Sequence, residues 1–550
     1  MAFNHVNDFH RRKILFSLSS LVRFRVTVVI LTCFLIQHSL YAQDEAYDVV
    51  IKNGRVLDGS GNSWYYSDLG IKDDRIVTIR KNLAPGKARI IDAKGMIVAP
   101  GFIDVHTHIE GDEVKTPTAD NFIFDGVTTV VTGNCGSSRA DIGTYLKFLD
   151  SLRLSINVAT LAGHNDIRRA VIGTANRDPD EAEMQQMEIL MKKAMEAGAV
   201  GLSTGLIYIP GTYSKTPEII RLAKIASDYG GVYASHIRSE SDSVLNAINE
   251  AITVGREARI PVQVSHFKLS GQQNWGRSKE SVPLIIAARN EGLDVTIDQY
   301  PYTASSTSMS TMLPDDVLSD GADSIKARLQ RPEVRKYVIS EMLKGLKKRK
   351  LKHFGYAVVA YHRADTSLNG KSVEAINRLK GKKHRAKDEA ETVIEMMLQD
   401  GAGMVFHGMS DDDVEAIMKY PFNMFASDAS IREFGQGKPH PRGYGTNACV
   451  LARYVREKNV ITLEEAVRRM TSLPAQKFQI RDRGLLREGM RADIVIFDPQ
   501  AVSDLSTFDN PHQFTRGFQY VLVNGSLVVD NEKHTGVRPG TVIYGNGAKY

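Results

Sequence analysis

Apolar positions along the chain follow two rhythms. Between 46 and 97, short runs alternate apolar and polar residues and break at turns: Asp48 to Lys52 before Gly54, Leu69 to Lys72 before Asp73-Asp74, then Ile76 to Ile79. Period-two alternation with turn punctuation predicts a β meander. The end of the chain repeats the pattern in Ala492 to Phe497, Tyr520 to Val523 and Ser526 to Val529, with Asn524-Gly525 as a hairpin turn. The two strand-rich ends, 46–97 and 481–550, are expected to pair into one small β-sandwich.

The centre, 98–480, reads differently. Eight strand-like runs, apolar on both faces, are mostly separated by helical stretches: Gly101–Val105, Thr128–Thr132, Asn157–Leu161, Ala199–Ser203, Val232–Ser235, Pro261–Ser265, Leu293–Ile297 and Asn423–Ser427. Strands buried on both faces belong to parallel sheets covered by helices. Eight of them predict an α/β chain built on a (β/α)8 TIM-like barrel. The gap between the seventh and eighth runs is far longer than the rest. It predicts an inserted subdomain at about 310–400, followed by a strand-like piece at Met404–Phe406. A basic run at 344–353, KGLKKRKLKH, lies inside it and reads as a solvated helix face.

Length and composition fit this picture. The 550 residues suit two to three units, and 42% apolar with 24% charged residues is ordinary for a globular enzyme. Disordered, collagen-like and polytopic membrane chains are excluded. The formal charge of +6 falls to +2 without residues 1–42, which hold five basic residues against Asp8. Nothing then favours a nucleic acid partner. Residues 1–42 read as an export leader: basic residues, an apolar run from Val26 to Ile36, then small and polar residues. Cleavage is expected after Ala42, with Cys33 a leader residue. The expected location is periplasmic or extracellular, without stable membrane insertion after cleavage. A retained leader anchor and a cytoplasmic form are the alternatives. Two cysteines then remain, Cys135 and Cys449, too few for a disulfide scaffold. A single bridge between them competes with a role for Cys135 at a metal.

Several of the eight runs end in a residue able to bind metal. The first leads to His106 and His108, the second to Cys135, the fifth to His236, the sixth to His266 and the eighth to Asp428. Strand C-termini of such a barrel face one mouth. His106 and His108, two apart, share a face of an extended chain. Nitrogen and sulfur donors around an open position are the layout of catalytic zinc. Any one of these histidines alone would read as a structural core residue; their joint placement argues for a metal. His164 ends the third run as a substrate contact or a residue behind the ligands. His407 and His440 are weaker candidates.

The segments VAPGFIDVHTH, TTVVTGNCG, GVYASHIRSE, VQVSHFK, GRSKE, QYPY, KPHPRGYGT and RGLLREGMRADIVIFDP resemble the N-acyl-D-amino-acid deacylase (D-aminoacylase) family of the amidohydrolase superfamily. The likeness runs from about residue 48 to about 537. It implies one tightly held zinc on Cys135, His236 and His266. It implies a second, weaker position on His106, His108 and Asp428, bridged by Cys135. It also implies Asp428 as catalytic acid/base, and Lys268 and Tyr300 on the substrate α-carboxylate, with Tyr302 as alternative. The substrate is then a small N-acyl-D-amino acid, cleaved at its linear amide. Ala429 departs from the family's glycine after the aspartate, and the leader departs from cytoplasmic members.

Two rivals stand beside this reading. A cyclic-amide hydrolase of the dihydroorotase or hydantoinase kind, or an isoaspartyl dipeptidase, commonly needs a lysine after the fourth strand, where this chain has Leu202-Ser203-Thr204-Gly205. A non-catalytic metal-binding barrel would be expected to lack a ligand or the acid. After Tyr302 the chain reads TASSTSMSTMLPDD, without Lys or Arg. That favours neutral or apolar D-residues, unless Arg442 supplies a charge to the pocket.

Overall fold

The computed structural model describes residues 47–549. The leader expectations for residues 1–42, Ala42 and Cys33 lie outside the described residues. Among these residues no helix is long and apolar enough to cross a membrane.

Eight parallel strands form the predicted barrel: Phe102–Asp104, Val127–Thr132, Asn157–Thr160, Gly201–Gly205, Val232–His236, Val262–Val264, Val295–Gln299 and Asn423–Phe425. Every residue in them is buried, as parallel strands between a packed interior and a helical coat require. Ala162–Gly163 continues the third strand and pairs with the fourth. The first and eighth strands close the cylinder just beyond their ends. There Thr107 bridges Ala429, His108 N–H donates to Ala429 O (2.9 Å) and Asp428 N–H donates to His106 O (2.9 Å). The fourth strand starts two residues later than the apolar pattern predicts. A side chain at Gly201 would place Cβ 2.0 Å from Val232 O, so the strands approach most closely where the sequence has no side chain.

Strands from both ends of the described chain join in one nine-stranded sheet. The junction is Ile97–Pro100 running antiparallel to Ile494–Phe497, in register from Ile97–Phe497 to Pro100–Ile494. Apolar side chains of both segments, among them Ile51, Leu69, Ile76, Val98, Ile494 and Leu522, share one core. The Asn524-Gly525 turn has φ of 46° and 76°, the left-handed pair a tight hairpin needs.

The insertion between the seventh and eighth barrel strands is built on a three-stranded antiparallel sheet, Ala304–Ser308, Gly403–His407 and Ala357–Tyr361. Four helices pack on it around a separate core that includes Leu329, Val338, Met342, Phe354, Val393 and Met404. Ser305, Thr307 and Phe406 of this sheet line the mouth of the barrel.

A candidate metal centre at the barrel mouth

Cys135, His236 and His266 converge from three strand ends. Cys135 Sγ lies 3.5 Å from His236 Nδ1 and 3.6 Å from His266 Nε2, and the two imidazole nitrogens face each other at 2.8 Å. His106 Nε2 is 3.3 Å from the same sulfur. Asp428 Oδ1 sits 3.6 Å from His106 Nε2 and 3.2 Å from His108 Nε2. Five of these residues are buried, His108 being the partly open member.

The backbone places these groups at a cost. Cys135, His266 and Asp428 have φ of 53°, 35° and 51°, left-handed values that disfavour a side chain by about 1 kcal/mol or more each. Each follows its strand by two or three residues, and the reversed backbone turns the side chain into the mouth. The Cys135 turn is braced from the fourth strand: Ser203 Oγ accepts from Gly136 N–H at 3.0 Å and donates to Gly133 O. Asn134 Nδ2 ties the same turn to Val131 O and Val105 O.

Three carboxylates brace the histidines from behind, Asp298 and Glu240 facing ring nitrogens and Asp104 holding backbone N–H groups. Asp298 Oδ1 accepts from His266 N–H (2.7 Å) and stands 3.5 Å from His106 Nδ1. Asp104 accepts from His106 N–H and Ser427 N–H, tying the first strand to the eighth. Burial pushes this carboxyl up to about 6, against those hydrogen bonds. Glu240 Oε1 lies 2.8 Å from His266 Nδ1. A metal-bound imidazole characteristically has its second nitrogen paired in this way.

The electrostatics follow from the crowding. Burial alone would lower His106, but the facing Cys135, Asp428 and Asp298 push it up to about 10. Burial holds His236 and His266 well below the usual imidazole range, helped at His266 by Lys268. Burial opposes ionisation of Asp428, yet the Arg442 guanidinium and His106 bring it well below the usual carboxylate range. Burial pushes the Cys135 thiol up and His106 is held charged, so taking up a divalent metal would release protons from both. His106, Cys135 and His266 can share one ion, and so can His106, His108 and Asp428. The cysteine, imidazole and carboxylate donors gathered here fit a zinc-type centre.

The candidates for the substrate are brought together unevenly. Arg442 Nη1 is 2.9 Å from Asp428 Oδ2, and its guanidinium covers the Tyr300 ring at 4.6 Å. The buried Tyr300 hydroxyl has no protein partner. Lys268 stands 5.5 Å from the same ring, but its ammonium is hydrogen-bonded to Glu240 and to His266 O. Lys268 is thus shared with an acid that the sequence reading did not single out. Tyr302 is a correction: its hydroxyl donates to Asp504 Oδ2 at 2.7 Å and serves the packing of the C-terminal segment. Of the two roles expected for His164, the substrate contact is corrected: both its nitrogens are engaged, by Glu218 (2.7 Å) and Asn165, in a fully buried network. His440 accepts from Arg442 N–H and bonds Ala304 O, so it positions Arg442. His407 packs edge-on against Phe508. Cys135 and Cys449 are both free thiols, which removes the disulfide.

Asp104, Asp298 and Glu240 were missed by sequence reasoning. Their signal was available for two: Asp104 falls within an apolar strand run and Asp298 directly follows one, where an ionisable group needs a partner.

Fold and site together define a metal-dependent hydrolase barrel. The chain belongs to the amidohydrolase family, whose pattern matches residues 89–319 and 346–529, and within it to the D-aminoacylase branch. It is 33% identical over 525 residues to a D-aminoacylase of Alcaligenes xylosoxydans xylosoxydans, covering 91% of this chain and 98% of that one. It is 34% identical to an N-acyl-D-glutamate deacylase of the same organism, covering 91% and 97%. The crystal structure of N-acyl-D-glutamate deacylase from Bordetella bronchiseptica, complexed with zinc and a phosphonate mimic of the tetrahedral intermediate, superposes with a TM-score of 0.78 at 34% identity. That match covers 91% of this chain and 100% of that one.

Proposed function

We propose that the protein hydrolyses the linear amide of N-acyl-D-amino acids, giving a carboxylate and a free D-amino acid. One observation carries the reading: Asp428 stands between two imidazoles and the Arg442 guanidinium, at the edge of a cysteine–imidazole cage. Cys135, His236 and His266 would hold zinc, with a second, weaker position at His106, His108 and Asp428; when bound it would polarise the amide carbonyl and acidify water towards neutral pH.

The chain's own groups do the rest. Asp428 Oδ1 receives the proton of the attacking water and returns it to the departing nitrogen, since an amide leaves poorly as an anion. Arg442 keeps Asp428 ionised, ready to accept. Tyr300, with an unspent hydroxyl, and Arg442 and Lys268 beside it receive the substrate α-carboxylate. Glu240 limits the charge that Lys268 can offer and holds His266 in its ligand orientation. Relatives along nearly the full length act on N-acyl-D-amino acids, which supports the substrate class. The cyclic-amide reading loses ground because Ser203 and Thr204 end the fourth strand, and Ser203 is occupied in bracing Cys135. The leader supports export, and fractionation of the expressing cell tests it.

The test is release of carboxylate by the zinc-loaded enzyme from paired N-acetyl D- and L-amino acids, beside dihydroorotate and a β-aspartyl dipeptide. Turnover confined to the D-series is expected. Preference for L-substrates or for a cyclic amide overturns the reading.

A further inference from the structure

Among the described residues Arg432 is a cation of the catalytic cavity with no ion-paired carboxylate. The cavity, about 340 Å³, is lined by His108, Cys135, Asp428, Ser306, Arg442 and Arg432 among others. The other two arginines there are committed. Arg169 pairs with Asp166 and donates to Ile209 O, and Arg442 pairs with Asp428 and covers Tyr300. Among the described residues no carboxylate is ion-paired with Arg432; Asp112 and Asp428 act on it only at longer range, and the Arg442 charge opposes it. Its Nε is buried and has no hydrogen-bond partner.

The placement is built. Buried Asn121 accepts from Arg432 N–H (3.1 Å) and donates to Ser430 O (3.2 Å) and Gly443 O (2.7 Å). One amide thus clamps the loop after Asp428 to the segment carrying Arg442. The Arg432 stem then lies over Gly443, where a Cβ would come 3.3 Å from Nε. Arg432 is half-buried with its Nε withheld from water, and a buried donor left without a partner is costly. Planar guanidinium donors match a carboxylate.

We propose that Arg432 is a specificity-determining residue that pairs with a second carboxylate of the substrate, beyond the α-carboxylate. This rests on the deacylase reading. The second carboxylate belongs either to an acidic D-side chain or to a dicarboxylic acyl group, and the two sources share the same chemistry. The inference replaces the expectation of neutral side chains. That expectation considered the segment after Tyr302 and Arg442, whereas the uncommitted cation arrives from the loop after Asp428.

The test is steady-state kinetics on two pairs that differ by one carboxylate, N-acetyl-D-glutamate against N-acetyl-D-glutamine, and N-succinyl-D-leucine against N-butyryl-D-leucine. Wild type should favour the acid of one pair in kcat/KM, and that pair identifies the source. Arg432→Gln should raise KM for that acid about tenfold or more. Its kcat should change less, and the uncharged isostere should stay within about twofold. Arg432→Lys should recover part of the loss. Equal zinc content and Tm in the variants separate recognition from folding. Equal use of acid and isostere by wild type overturns the proposal, as does an equal loss on both in Arg432→Gln. Inactivity of wild type on all four substrates overturns the deacylase reading, and this proposal with it.

Discussion

Glu240 joins Lys268 to His266: its Oε1 is hydrogen-bonded to the Lys268 ammonium and lies 2.8 Å from the His266 Nδ1. One acid therefore sets both the orientation of a metal ligand and the charge of a substrate-facing cation. Replacing it by glutamine keeps the shape and removes the charge. Glu240→Gln should weaken zinc retention by about 10–100-fold, the usual cost of losing such a partner. Competition with a chromogenic chelator measures it.

Asp428 is separable from the cage. Asp428→Asn should lower kcat by about 1,000-fold, in the range of general acid–base catalysis. Metal analysis should still find the tightly held zinc. Cys135→Ala should lose both zinc and turnover.

The two tyrosines of the Tyr300-Pro301-Tyr302 segment should behave differently. Tyr300→Phe removes a hydroxyl free to meet an anion, and KM should rise about tenfold, as for a hydrogen bond to a charged group. Tyr302→Phe removes a bond to Asp504, and kcat/KM should stay within about twofold while Tm falls. Parallel kinetics and thermal melts distinguish the outcomes.

Lys477 gives a pH signature in stability. Burial lowers it to about 8, although it is paired with Asp294. Between pH 8 and the unfolded value near 10.5, the unfolded chain binds more protons, so this group's contribution to stability rises with pH. Below pH 8 the full penalty applies, about 3 kcal/mol from the shift. Lys477→Met should therefore flatten the rise in urea-unfolding free energy between pH 8 and 10. An unchanged pH slope in the variant would refute the assignment.

Much of this was legible in the sequence because burial leaves a one-dimensional trace. The eight barrel strands are apolar on both faces, and the ligands fall at their ends, so pattern and chemistry coincide at His106, Cys135, His236, His266 and Asp428. Partnership leaves no such trace. Tyr302 and His164 have the right chemistry in the right segments, but Asp504 and Glu218 take their polar atoms from elsewhere in the chain. Glu240 and Arg432 escaped attention for the opposite reason: they sit on loops, where periodicity carries no information and only three-dimensional proximity reveals the role.

The seam where the cylinder closes has a further consequence. Cys135 and His266 are 131 positions apart, whereas His106 and His108 meet their acid only across the Thr107–Ala429 bridge. During synthesis, the cage ligands emerge from the ribosome long before the proton carrier does. A chain truncated between His266 and the eighth strand has the cysteine and all four imidazoles but cannot turn over, so the emerging polypeptide stays catalytically silent until the ring is shut.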